Sequence, residues 1–286
     1  METMVHINLR VRKCMAEFYV NDIPLRRLNP MFQGFYSEVA YPYVVDGLNE
    51  IKVVVCPGPT PSSSQRGGPL IPESTDGGEG EDAPTAAEEG SGGDKQARIC
   101  VIEYPVGVFA GDESQGQIWM EAEWQESREP QSDFPFVFQH SRDLDRQRGG
   151  WWWQKAEPLD LDRDMGDIQS AVARIHHAFE AGDGEGVANM ARYYLEDMGR
   201  AIPAYGADRF KRDMVADING NAGRKDWIRP IDWDEVDFRL CAEGCLVQIL
   251  DKDWQPTIRA TPQPDGEIYP FPIFLGRLDG RFEILL

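Results

Sequence analysis

Residues 158–182 read PLDLDRDMGDIQSAVARIHHAFEAG, and within them the chain changes its hydrophobic period. Ile168, Val172, Ile175, Ala178 and Phe179 fall at three- and four-residue intervals, the spacing that lines one face of a helix. Asp160, Asp162 and Asp164 stand where the unpaired N–H groups and positive dipole end of such a helix favour carboxylates. Gly182 supplies a residue able to turn left-handed at its end. Upstream of Pro158 the apolar residues alternate singly, so this helix opens a region of different architecture.

Working back from Pro158, residues 6–12, 16–20, 98–104, 117–124 and 134–138 read as short strands, and Gly47 leads another into Val55. Over 117–124, Ile118, Met120, Ala122 and Trp124 share one face. Trp151–Trp153 reads as a last strand, in which Trp152 faces away from its two neighbours. Short strands punctuated by turn residues predict an antiparallel β-sandwich over residues 1–156. Residues 57–97 hold eight acids, two bases and almost no large apolar side chains. Such a stretch cannot bury enough surface to offset its ordering entropy. Strand-like patterns resume on both sides of it, so residues 58–97 are expected to be a disordered acidic insertion within one domain.

Working forward, residues 185–200 and 208–218 repeat the helical spacing. Strand patterns then return as two hairpins: residues 236–241 and 245–250 flank Ala242-Glu243-Gly244, and 273–278 and 281–286 flank Asp279-Gly280. Residues 157–286 are therefore expected to form three helices followed by an antiparallel β-meander, making the chain α+β.

The run AVARIHHAFEAGDGEGVANM, residues 171–190, resembles the opening of nuclear-transport-factor-2-like domains. Those begin with a helix, a Gly-Asp turn and a second helix, and later form a curved antiparallel sheet. The resemblance covers residues 160–286 and implies a cone-shaped α+β domain. Enzymes of that superfamily place an Asp, His or Tyr inside the cone. The resemblance assigns those positions to no particular residue of this sequence and so implies no catalytic residue.

The chain's 286 residues carry a net charge of −20 and a pI of about 4.6. That balance argues against direct binding to nucleic acid or an anionic membrane, both of which need basic patches, and favours a basic partner. No basic and apolar leader opens the sequence, and no apolar run is long enough to cross a bilayer. Five scattered cysteines do not form a disulfide framework, so the expected location is the cytoplasm, with thiols reduced.

The motifs for chemistry are incomplete. Asp160, Asp162 and Asp164 begin like a calcium loop, but Met165 and Ala171 stand where the loop needs Gly and a bidentate acid. His176 and His177, adjacent on a helix, point about 100° apart and cannot share a metal. Cys241 and Cys245 lack the second ligand pair that zinc requires. Pro264-Asp265-Gly266-Glu267 lacks the lysine of a nuclease site, because Tyr269 stands in its place. No catalytic residue, metal or cofactor is expected.

Aromatic residues among acids give the remaining signal. Asp226-Trp227-Ile-Arg-Pro-Ile-Asp232-Trp233-Asp234-Glu235 mixes bulky rings with carboxylates, the composition of a hot spot for a basic protein. The candidate partner-binding residues are Trp227, Asp232, Trp233 and Asp234, with Trp152 as a further anchor. In its acidity, two-domain build and lack of catalytic motifs the chain resembles bacterial immunity proteins. That implies a non-enzymatic protein neutralising a cognate toxin, a nuclease among the candidates; a homodimer is compatible with this reading. The alternative is a small-molecule-binding or catalytic cone in the C-terminal domain, with the sandwich as accessory. A filled apolar interior favours the binder, and converging polar groups favour the enzyme.

Overall fold

The computed structural model describes residues 3–29, 35–56, 94–130, 133–144, 150–224, 226–251, 255–261 and 270–286. The chain is a mixed α+β protein that divides into two compact units. One comprises Met1–Tyr19, Pro24–Val39 and Glu50–Ser141; the other comprises Val20–Ile23, Ala40–Asn49 and Arg142–Leu286.

The first unit holds most of eight strands: β1 (Thr3–Arg12), β2 (Ala16–Val20), β3 (Ile23–Leu28), β4 (Phe35–Val39), β5 (Gly47–Val55), β6 (Gln96–Pro105), β7 (Gln117–Gln125) and β8 (Phe136–Leu144). They form two four-stranded sheets, ordered β4-β1-β6-β7 and β3-β2-β5-β8. In the first sheet every neighbouring pair is antiparallel. Alternation along β1 buries Val5, Ile7, Leu9 and Val11 on one face. β6 is buried on both faces, because Val108 and Ala110 of the following connection pack on Cys100, Ile102 and Tyr104. Gly116 in that connection lies so close that a β-carbon would overlap Ile102.

The shared face expected for β7 is broken. Its register against β6 shifts between Val101 and Ile102, leaving Trp119 without an opposite residue, as in a β-bulge. Trp119 is thereby buried with Met120, Ala122 and Trp124, whereas Ile118 is 40% exposed. β3 and β4 were not anticipated from the sequence. Of the expected 58–97 insertion, residues 58–93 lie outside the described residues. Its last two residues, Gln96 and Ala97, belong to β6.

The second unit carries α1 (Leu161–Ala181), α2 (Gly184–Met190), α3 (Arg192–Ala201) and α4 (Ala207–Asn219). An antiparallel sheet follows, ordered β12-β11-β10-β9: β9 (Val236–Cys241), β10 (Leu246–Asp251), β11 (Phe274–Leu278) and β12 (Arg281–Ile284). Asp160 caps α1 by accepting from the N–H groups of Asp162 and Arg163, and Gly182 ends it with φ of 67°. The single helix expected over 185–200 is two, interrupted at Ala191. Asp279 and Gly280 both take positive φ, 50° and 72°, the backbone of a tight turn between β11 and β12. The core fills with the expected α1 stripe, Ile168, Val172, Ile175 and Phe179, against Val247, Ile249 and Leu275 of the sheet.

Trp151–Trp153 is not a strand. Residues Trp152–Lys155 make a short 3₁₀ turn, so β propensity of the aromatic run is overridden by tertiary contacts. No helix among the described residues is long and apolar enough to cross a membrane.

Candidate functional site

The acidic and aromatic segment divides on folding. Trp227 is 5% exposed; its indole donates to the Glu180 carbonyl at 3.2 Å, and its ring lies 6.4 Å from Phe179 and 6.1 Å from Phe271. This ring is spent on the core rather than offered to a partner, unlike the expectation above. Trp233 behaves oppositely. It is 40% exposed on a single 3₁₀ turn, Trp233–Glu235. Asp232 caps that turn by accepting from the Asp234 N–H at 3.2 Å, and both side chains are exposed. The fold therefore presents Asp232, Trp233 and Asp234 together.

Trp152 belongs to a different element. Its N–H donates to Asp197 at 2.8 Å and its indole to Glu196 at 2.9 Å. Its ring stacks 4.5 Å from Tyr193, with the Lys155 ammonium 4.2 Å away on the ring. Trp152 is half-buried and engaged on α3. Trp151 and Trp153 are buried, and their indoles donate to the carbonyls of Val44 (2.6 Å) and Pro42 (2.8 Å). Burial pushes the Asp197 carboxyl above its usual range, although Arg200 pairs with it.

The other sequence candidates have structural partners. Asp164 is gripped by Arg163 and Arg277. His176 donates from Nε2 to the Arg229 carbonyl at 3.0 Å. All five thiols are free; Cys241 is buried and Cys245 half-buried, and burial raises both. Residues 262–269, with the Pro264–Glu267 motif, lie outside the described residues.

Sequence reasoning missed a cleft of about 550 Å³ in the second unit. Its wall carries four guanidiniums: Arg174 from α1, Arg192 from the start of α3, Arg277 from β11 and Arg281 from β12. Asp167 and Glu283 are the two carboxylates beside them. Arg192 donates to Glu283 at 2.6 Å and Arg277 to Glu157 at 3.1 Å. Among the described residues, Arg174 and Arg281 make no ion pair, and both are exposed. The cations come from separate segments of an acidic chain, so no local window reveals them.

Comparison of the chain with protein-family models, curated proteins and solved structures returns no match.

Proposed function

We propose that this chain is a non-enzymatic binding protein that captures a basic protein, as an immunity protein neutralises its cognate toxin. The observation that carries this reading is the exposed Trp233 ring on one capped turn, flanked in sequence by the exposed Asp232 and Asp234. A large ring supplies contact area at low entropic cost, and flanking acids steer a cationic surface toward it. The net charge of −20 adds long-range attraction. Ile168, Val172, Ile175 and Phe179 of α1 pack on Val247, Ile249 and Leu275 of the sheet, and this apolar part of the interior favours a binder over a catalytic cone. In this reading the two sheets of the first unit are the layers of a β-sandwich. The second unit is cone-like, and the reduced thiols suit the cytoplasm.

The test is co-purification from the native host followed by co-expression. The expected result is a basic protein that arrests growth when expressed alone and is harmless when expressed with this chain. Capture of no protein, together with turnover of a small molecule, would overturn the reading.

A further inference from the structure

The arginine-lined cleft is independent of the Trp233 turn and has its own chemistry. It faces four guanidiniums with only two carboxylates, in a protein whose acids otherwise outnumber its bases. The charges are not equally committed. Arg277 turns toward Asp164 and Glu157, and Arg192 toward Glu283 and the Asn189 carbonyl. Arg174 and Arg281 keep their planar forks unpaired among the described residues, on two different elements of the wall, α1 and β12. A guanidinium binds an oxyanion through two parallel N–H donors, and these two cations outnumber Asp167, the wall's carboxylate without an ion pair among the described residues. Ser170 of α1 also lines this wall, its hydroxyl donating to the Gly166 carbonyl at 2.8 Å. Half-buried Met190, with Phe282 at 7% exposure beside it, gives the wall an apolar part that a bare inorganic ion would leave unused. A volume of about 550 Å³ suits a small organic molecule.

We infer that this cleft binds a small organic phosphate monoester, its phosphate between Arg174 and Arg281 and its apolar body against Met190 and Phe282.

Isothermal titration of the full chain with phenyl phosphate tests this, with inorganic phosphate and benzoate as comparison probes. Phenyl phosphate should bind saturably at one site. Inorganic phosphate lacks the apolar body and benzoate the second charge, so both should bind more weakly. Arg174→Ala and Arg281→Ala should each weaken phenyl phosphate by at least about tenfold and leave thermal unfolding unchanged, because both side chains are exposed. If an alanine variant fails to fold, Arg174→Gln and Arg281→Gln keep the apolar stem and read the same loss. Absence of saturable binding by the wild type would overturn the inference. So would unchanged affinity in the double variant, or benzoate binding as tightly as phenyl phosphate.

Discussion

The guanidinium of Arg277 on β11 grips both carboxylate oxygens of Asp164 in the first turn of α1, at 3.0 and 3.2 Å. Arg163 holds the same carboxylate from the other side at 2.8 Å, and the Asp160 N–H adds a bond at 2.9 Å. The contact ties the second unit's longest helix to its sheet. It also gives that helix a carboxylate at its positive end.

The hydrogen bonds from Arg163 and Arg277 hold the Asp164 carboxyl well below its ordinary 3.8. A carboxyl depressed in the folded state binds fewer protons there than in the unfolded chain. Its stabilisation is therefore complete above about 3.8 and is lost as pH falls toward the folded value. Asp164→Asn should lower the urea midpoint at pH 7 and flatten its decline below pH 4. Parallel pH profiles for variant and wild type would contradict this.

Glu17 on β2 is fully buried, and its carboxylate accepts from Arg27 and from the Tyr19 hydroxyl, each at 2.9 Å. Arg27→Ala removes the guanidinium from that buried carboxylate and should cost about 3–5 kcal/mol by urea unfolding. Replacing both Glu17 and Arg27 by Met should restore much of the loss, since an apolar pair needs no counter-charge.

The two tryptophans of the acidic segment should separate cleanly. Trp227→Ala leaves a cavity beside Phe179 and Phe271 and should destabilise by about 3–5 kcal/mol. Trp233→Ala should change stability by no more than about 0.5 kcal/mol. Calorimetric unfolding of both variants is the check.

Thiol reactivity follows burial. Cys14 is pushed up to about 12 by burial, and Cys100 and Cys241 are also buried and raised, leaving Cys56 and Cys245 as the half-buried pair. A colorimetric disulfide reagent at pH 8 should find at most two thiols in the native chain and five after denaturation. Fast reaction of a third would show that Cys14, Cys100 or Cys241 becomes open to solvent.

What was legible in the sequence follows the range of the forces involved. The α1 stripe, its Asp160 cap and the Asp279-Gly280 turn are decided by neighbours within a few residues, and these appear as read. The strand pattern of Trp151–Trp153 misleads because the segment's conformation depends on Pro42, Val44 and Asp197, which a local window does not contain. β3 carries no local strand signal, because Pro24, Arg26 and Arg27 interrupt its apolar pattern and the two arginines donate to the distant Tyr36 and Glu17. The Trp119 bulge reverses Ile118 and Trp119 with no turn residue to announce it. In the acidic segment composition could not tell the inward ring of Trp227 from the outward ring of Trp233.

Stopped-flow association with the captured basic partner, at rising salt, tests the central claim most directly. Wild-type association should fall steeply as screening shortens from about 8 Å at physiological ionic strength to about 3 Å at 1 M. Asp232→Lys with Asp234→Lys should slow association about tenfold at low salt, and the difference should close by 1 M. Association rates that are the same for both proteins and insensitive to salt would contradict the account.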